Sequence, residues 1–242
     1  MPAKTYLQLV NAVGRRLRLV KPPVGVHPGT EYTTVFQDAD SVFIASMVNE
    51  AKRMVEAERE WNRLRQRLTF SSVVNQRLYD LGDPAVITSP IPANDRSTIV
   101  KGGNGGEQFY DTSDSEFQLR MISREQANQR SEVTPTEATR NYLFSIYQNM
   151  NGGLTVEFPY NPIEIRDYAV YMTINQPDLE LDTDTLWVAE QPVINAATAL
   201  GAEERGEELG LIASTWWDLY RNSLSEAIVY DMDDTDLEFY PD

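Results

Sequence analysis

Cysteine is absent from the 242-residue chain, and histidine occurs once, at His27. Without cysteine, the chain can form neither a disulfide framework nor a thiolate metal site. His27 lies among the prolines and glycines of residues 21–29, a composition typical of a loop. A Ser-His-Asp triad would need this histidine, and zinc sites are usually built from cysteine and histidine. The residue inventory therefore argues against these chemistries.

Long apolar runs are also missing. No stretch approaches the about 18 apolar residues that span a bilayer, and residues 1–6 lack the apolar core of a signal peptide. The hydrophobic content of 41% is that of a folded globular protein. We expect one domain, or one domain with a large insertion, assembled in a cytosol with no membrane partner.

Basic residues are scarce, and the net charge is −16. Of the 21 Lys and Arg residues, 11 fall within residues 1–67, whereas residues 178–242 carry 17 acidic residues against Arg205 and Arg221. Phosphate binding depends on neutralisation by Lys and Arg, so this composition argues against a grip on nucleic acid. It is compatible with guiding nucleic acid past a repelling surface.

Helical periodicity marks both ends of the chain. Thr5 is a predicted N-cap, and Asp38 or Asp40 is predicted to cap a second helix whose wet side includes Lys52 and Glu56. Pro192 fits a first helical position, and a further apolar stripe runs from residue 209 to 228. The predicted apolar face of the first helix comprises Tyr6, Val10, Val13, Leu17 and Val20.

The middle of the chain changes to short alternating segments typical of strands. Residues 68–70 and 77–81 suggest one hairpin, and residues 141–147 and 154–160 suggest another. Residues 97–100, 108–110 and 169–174 supply further strands, and residues 123–130 a short helix. The glycine-rich residues 101–106 lack a Gly-Lys-Ser/Thr ending and a GxGxxG pattern, which favours a flexible connection over a phosphate-binding loop.

The predicted fold class is therefore α+β. Residues 1–66 and 190–230 form a helical bundle, residues 67–189 form a β-rich, hairpin or sandwich-like insertion, and residues 231–242 form an extended acidic arm. The arm carries six acidic residues and no basic residue. It does not fit a calcium loop, because Asp236 stands where glycine is required and Asp242 where glutamate is expected.

Several stretches, in order, resemble the head-to-tail adaptor proteins of tailed bacteriophages, the tail-tubular-protein class. YLQLVNAVGRRL at 6–17 resembles the opening helix, and VNEAKRMVE at 48–56 with WNRLR at 61–65 resembles the second helix and its exit. LWVAEQPVI at 186–194, AEERGE at 202–207 and EFYP at 238–241 are similar to the paired C-terminal helices and the aromatic-proline end. The loop at 21–36 and the glycines at 102–106 depart from the family pattern.

The resemblance implies a non-enzymatic virion protein without a cofactor or metal. It implies a closed ring of about twelve copies, placed at the head-tail junction and assembled in the host cytoplasm. The portal protein and a tail or nozzle protein would be its partners, and genomic DNA would pass through without specific binding. The expected portal-binding residues are Asp231, Asp233, Asp234, Asp236, Leu237, Phe239 and Tyr240, and the expected subunit-interface residues are Arg15, Arg16, Arg18, Arg53 and Arg59.

Two other interpretations remain open at the level of sequence. The chain fits a generic acidic protein-binding module with no virion role. It also fits a carboxylate-dependent hydrolase, although 37 acidic residues make chance carboxylate pairs inevitable and no motif singles one out. A convergent pocket would be needed for the hydrolase.

Overall fold

The structure, a computed structural model, describes residues 3–20, 31–87, 97–101, 106–113, 117–131, 142–150 and 153–233. It confirms the mixed α+β class. The helices are α1 (Tyr6–Arg16), α2 (Ala39–Ala57), α3 (Arg124–Ser131), α4 (Glu190–Leu209) and α5 (Ala213–Asp233). The strands are β1 (Arg65–Ser71), β2 (Leu78–Asp80), β3 (Thr98–Ile99), β4 (Phe109–Asp111), β5 (Phe117–Gln118), β6 (Arg120–Met121), β7 (Leu143–Gln148), β8 (Leu154–Glu157) and β9 (Asp167–Thr173).

The chain divides into two units. Met1–Arg63 and Asp178–Asp242 form a helical unit, and Leu64–Pro177 form a strand-rich unit. The sequence put the second boundary at 189/190, twelve residues later. Residues 178–189 belong with the helices because hydrogen bonds join them to the N-terminal segments: the Tyr6 N–H donates to the Asp184 backbone carbonyl at 2.6 Å, and the Val35 N–H donates to the Asp182 side-chain carboxylate at 2.8 Å.

The first two helices begin where the sequence predicts. Thr5 and Gln8 form a capping box on α1, and Asp38 and Ser41 form one on α2, so each pair satisfies N–H groups that a helix start leaves open. The predicted apolar face of α1 is confirmed, since all five of its residues are buried. The helix itself stops at Arg16, because Arg18 adopts a left-handed conformation with φ of 61°.

Helix α4 is the centre of the helical unit and packs against α1, α2 and α5. Small side chains allow this close contact: a Cβ at Gly201 would lie 2.7 Å from Cδ1 of Leu17. Gly201 lies inside α4, which continues to Leu209 and is closed by Gly210 in the left-handed conformation. Pro192 is the third residue of α4 rather than the predicted first.

Three asparagine side chains, of which Asn11 and Asn195 are buried and Asn49 is half-buried, join separate segments of this unit. The Asn11 side chain donates to the Tyr32 carbonyl at 3.0 Å and accepts from the Tyr32 N–H at 2.8 Å. Asn49 bonds both the N–H and the carbonyl of Leu179, at 2.8 and 3.1 Å. Asn195 donates to the Leu219 carbonyl and the Ser223 hydroxyl, which joins α4 to α5. Each amide thus ties together segments distant in sequence.

The described residues of the strand-rich unit form two sheets. One has the order β1-β9-β4-β5, with β3 also paired to β9, and the other has the order β2-β8-β7-β6. The predicted hairpin of residues 141–147 and 154–160 is confirmed as β7 and β8. The predicted hairpin of residues 68–70 and 77–81 is wrong, because β1 pairs with β9 and β2 pairs with β8 in the other sheet.

The two sheets share one apolar core rich in aromatic rings. Phe109 of β4 meets Phe144 of β7 with ring centroids 4.5 Å apart. Phe70 of β1 meets Tyr79 of β2 at 5.2 Å. Such edge-to-face and tilted contacts stabilise a sandwich beyond simple burial of area. The ends of the unit are also joined, since the Ile174 N–H donates to the Leu64 carbonyl at 2.8 Å.

Within the described ranges, none of the helices combines the length and apolar character needed to cross a membrane. The predictions for the His27 loop, for the glycine-rich residues 102–105 and for the arm residues Asp234, Asp236, Leu237, Phe239 and Tyr240 concern residues outside these ranges. They remain predictions.

One sequence-based assignment on α2 is wrong. Lys52 and Glu56 were placed on the wet side, yet both side chains are fully buried, with Nζ and Oε1 3.6 Å apart. Lys52 follows Val48 by four residues, so it lies on the apolar face of the helix. Asp178, at 3.9 Å from the Lys52 ammonium, adds a second negative charge.

We predict that Lys52→Met lowers the free energy of unfolding by about 3–5 kcal/mol, because it leaves the Glu56 carboxylate buried without its cation. The double variant Lys52→Met/Glu56→Met should recover most of this loss. Arg53→Met is the matched control, since the Arg53–Asp178 pair is half exposed and should cost at most about 1 kcal/mol. Urea unfolding measures all three, and equal losses for Lys52→Met and Arg53→Met would contradict the prediction.

Candidate functional site

Four of the five arginines expected at a subunit interface make contacts inside the chain. Arg15 pairs with Glu31, and Arg53 pairs with Asp178. Arg16 donates to the Asn195 side chain and lies over the Trp216 ring, 5.2 Å from its centroid. Burial lowers the pKa of Arg16 below its ordinary value. These residues connect the helices, so an interface role would come in addition to a structural one.

Arg59 and Asn62 hold Asp231 near the C-terminal end of α5, and we call these three residues the Asp231 anchor. The Arg59 guanidinium donates to the Ile228 carbonyl at 3.2 Å and lies 3.4 Å from the Asp231 carboxylate. Both Asp231 oxygens accept from the Asn62 N–H at 3.2 Å. Arg18, by contrast, is exposed and has no ion-pair partner among the described residues.

The extended arm was predicted to start at Asp231, and this start is wrong, whereas the portal contact predicted for Asp231 and Asp233 stays a prediction. Helix α5 continues to Asp233, and the Asp231 side chain is only 5% exposed. Its carboxylate satisfies the N–H of Asn62 and the charge of Arg59, so it faces the protein. Any extended segment therefore begins after Asp233.

A groove of about 700 Å³ lies beside this anchor. We call it the α4–α5 groove. Its volume is in the range of ligand-binding clefts, and its lining comes from four separate segments of the helical unit. They contribute Ala3, Lys4, Trp61, Arg63, Leu186, Val188, Ala189, Glu190, Gln191, Pro192, Ser223, Glu226, Ala227, Tyr230 and Asp231.

The apolar part of the groove is rigid. The Trp61 indole N–H donates to the Val55 carbonyl at 2.8 Å, which fixes the ring orientation. Leu186, Val188 and Pro192 are buried, whereas Tyr230 stays 74% exposed at the edge. Such a surface suits the binding of apolar side chains, because little conformational freedom is lost on contact.

Three carboxylates line the groove; two of them are engaged in ion pairs, and the third, Glu226, is exposed. Glu190 is held by Lys4, with Nζ 2.5 Å from Oε2, and Asp231 is held by Arg59 and Asn62. No group of three or more His, Cys, Asp or Glu side chains that could hold a metal occurs in the part of the chain that the structure describes.

The three aspartates of residues 178–184 have structural partners within the helical unit. Asp178 pairs with Arg53, Asp182 accepts from the Val35 N–H, and Asp184 accepts from the N–H groups of Glu180 and Leu181 at 2.8 Å. On α5, the Tyr220 hydroxyl donates to Glu58 at 3.3 Å. Burial, followed by the negative charge of Glu58, raises the pKa of Tyr220 to about 12. Several acidic residues of the helical unit therefore stabilise its fold by accepting hydrogen bonds or pairing with a cation.

Sequence reasoning missed both the groove and the Asp231 anchor. The groove is lined by segments that lie far apart in the chain, from Ala3 to Asp231. The one local signal was Asp231 itself, which follows Leu224 by seven residues and so continues the buried face of α5. The overall acidity of residues 231–242 concealed this helical spacing.

We predict that Asp231→Ala lowers the free energy of unfolding by about 1–3 kcal/mol, because the Asn62 N–H and the Arg59 guanidinium lose a buried acceptor. Asp218→Ala is the control on the same helix, since its pair with Arg221 is more than 70% exposed and should contribute at most about 1 kcal/mol. Urea midpoints compare the two variants. An unchanged midpoint for Asp231→Ala would restore Asp231 to the candidate docking residues.

Comparison with known proteins adds no relative to this picture. No protein-family model matches the chain. No curated protein matches it either. The resemblance to phage adaptors therefore stays an expectation based on the quoted stretches.

Proposed function

We propose that the chain is a head-to-tail adaptor of a tailed bacteriophage. Copies of it form a closed ring of about twelve subunits between the portal protein and a tail or nozzle protein, as a structural part of the virion assembled in the host cytoplasm. The observation that carries the proposal is the arrangement of the chain. Its two ends build one helical unit, and Leu64–Pro177 form a separate strand-rich unit between them. The adaptor resemblance implies this arrangement.

The charge distribution supports passage of DNA without binding. The helical unit contains 11 basic against 24 acidic residues, whereas the strand-rich unit contains 10 against 13. Exposed acidic residues of the helical unit include Glu50, Glu180 and Glu204. A ring of such subunits repels phosphates, so DNA moves through the channel without adhering to it.

The portal contact is assigned to residues 234–242. This segment combines the acids Asp234 and Asp236 with the apolar residues Leu237, Phe239 and Tyr240. It follows α5, whose end is fixed by the Asp231 anchor. A mixed acidic and aromatic segment on a fixed helix suits docking to a basic, partly apolar surface. The strand-rich unit is assigned to the tail side.

The generic binding module is the runner-up. The α4–α5 groove would then accept a partner outside any virion, and no ring would form. The hydrolase interpretation has less support, because two of the three groove carboxylates, Glu190 and Asp231, are engaged with Lys4 and Arg59, which leaves Glu226 as the exposed one. A general base must instead be free to take a proton within hydrogen-bond reach of its substrate.

Negative-stain microscopy of the protein mixed with portal rings tests the proposal. A second ring stacked on the portal is expected, with the protein alone a monomer or a weak oligomer. Class averages that show bare portals at saturating protein would reject the adaptor function and leave the binding module.

We predict that a chain truncated after Asp233 keeps its fold and loses portal attachment. The fold should persist because the Asp231 anchor remains. Co-sedimentation with portal rings measures attachment, and far-UV circular dichroism with a urea midpoint measures folding. A full-length variant with Asp234, Asp236 and Glu238 all changed to Lys is the matched control for charge. Wild-type attachment by the truncated chain would move the portal contact elsewhere.

A further inference from the structure

Strand β1 forms an open edge of its sheet. It stands first in the order β1-β9-β4-β5, and among the described residues only β9 pairs with it. The Ile174 N–H donates to the Leu64 carbonyl, and the Ser72 N–H donates to the Arg166 carbonyl. Hydrogen-bonded positions alternate along an antiparallel pair, so the even-numbered residues of β1 bond to β9. The odd-numbered residues of β1 therefore direct their N–H and carbonyl groups to the open edge.

The two sides of β1 differ in character. Arg67 and Thr69 are exposed, and Arg65 stands on the same side of the strand, because side chains two residues apart share a face. The other side carries Leu68 and Phe70, which are buried in the core between the two sheets. An open edge is a template for a further strand. A strand added here should be acidic on its outer side and apolar on its inner side.

The C-terminal segment, residues 234–242, has this pattern. It lies outside the described residues, and its sequence is DTDLEFYPD. Over its first six positions, acidic residues alternate with threonine, leucine and phenylalanine. A period of two places the acids on one face of an extended segment and the other three side chains on the opposite face. The proline that follows is typical of a strand end.

The Asp231 anchor relates the start of this segment to the start of β1. Arg59 donates to the Ile228 carbonyl, and Asn62 donates to Asp231; each bond joins residues that are 169 positions apart. The turn Asn62–Leu64 leads directly into β1, and α5 ends two residues after Asp231. Both β1 and the C-terminal segment therefore begin three residues after the bonded pair of Asn62 and Asp231.

The same separation of 169 positions, continued beyond the anchor, defines a parallel register. In this register charged residues of opposite sign face each other on the outer side, and apolar residues face each other on the inner side. Such pairs across neighbouring strands stabilise a sheet. The opposed pairs are Arg65 with Asp234, Arg67 with Asp236, Leu68 with Leu237, and Phe70 with Phe239.

We propose that residues 234–239 add to the open edge of β1 of their own chain as a parallel strand. The added strand bonds the outward N–H and carbonyl groups of β1, and its acids pair with Arg65 and Arg67. This contact goes beyond the adaptor function and does not rest on it, because it concerns the free protein. A portal that binds residues 234–242 must compete with β1 for them.

Engineered cysteines test this placement, because the chain has no cysteine of its own. Thr69→Cys and Glu238→Cys are combined in one chain and oxidised. Neighbouring strands lie about 4.8 Å apart, which a disulfide spans, so a monomer without free thiols is expected on non-reducing gels with a thiol assay. Thr98→Cys replaces Thr69→Cys in the control, where both thiols should stay free, since Thr98 is exposed on β3 beyond β9.

Two results of the oxidation would overturn the proposal. Free thiols in the chain with Thr69→Cys and Glu238→Cys would show that the segment does not lie at the β1 edge. Disulfide-linked dimers would show that the segment reaches a second copy instead of its own β1.

Amide hydrogen exchange reports which edge of β1 is covered. Truncation after Asp233 should raise the exchange rates of the Arg67 and Thr69 amides by ~2- to 10-fold, as expected for the loss of one backbone hydrogen bond each. The Leu68 amide should keep its rate, because it faces β9. Residue-resolved NMR measures the rates. Equal rates at Arg67 and Thr69 in the full-length and truncated chains would overturn the added strand.

A charge exchange tests the register. Arg67→Glu in the full-length chain should raise the exchange rate of the Thr69 amide by ~2- to 5-fold, as expected for the loss of a partly exposed ion pair. Addition of Asp236→Arg should restore the rate. Arg120→Glu is the matched control without effect, because Arg120 is exposed on β6 in the other sheet. Failure of the double variant to recover would overturn the assigned register.

Discussion

The helical unit depends on the requirement that an amide wholly or partly removed from solvent must satisfy both its oxygen and its nitrogen. Asn11 and Asn49 meet this requirement in the same way, each bonding the N–H and the carbonyl of one residue in a non-helical segment. Residues near Tyr32 and Leu179 are thereby fixed against α1 and α2 without secondary structure of their own. Asn195 instead joins two helices, because it donates to the Leu219 carbonyl and the Ser223 hydroxyl of α5. The placement of residues 178–189 with the helices depends in part on the contact of Asn49 with Leu179.

Charge has two distinct uses in this acidic chain. Lys52 with Glu56, and Asp231 with Arg59, are largely removed from solvent and specify how segments meet. Exposed acidic residues such as Glu50 and Glu204 contribute instead to the electrostatic potential around the molecule. Net charge alone does not separate the two groups, because a buried carboxylate next to its cation adds little to the external potential. The proposed passage of DNA depends on the second group only.

Local patterns made much of the fold predictable. Capping residues and apolar spacing located α1, α2 and α5. The alternating segments on either side of an Asn-Gly-Gly sequence located the paired strands β7 and β8. Prediction failed where the partner of a strand is distant in sequence. Strand β1 pairs with β9 rather than with the neighbouring β2, and this pairing places Arg65 opposite Thr173. Lys52 was misplaced because its charge outweighed its position on the apolar face. The groove could not be predicted because the segments that line it are distant in sequence, as are β1 and β9. Asp231 was assigned to the acidic arm from its composition, although its spacing from Leu224 continues helix α5.

The pairing of β1 with β9 has an evolutionary consequence. Arg65 lies opposite Thr173, and Ile174 bonds to Leu64, so the chain enters and leaves the strand-rich unit at adjacent points. Antiparallel neighbours of this kind lie about 5 Å apart at Cα. A segment with such closely spaced ends is a cassette, which gene rearrangement can exchange, enlarge or remove while the flanking helices keep their connection. Related helical frames can therefore carry quite different inserts, and each insert can be selected for a different neighbour.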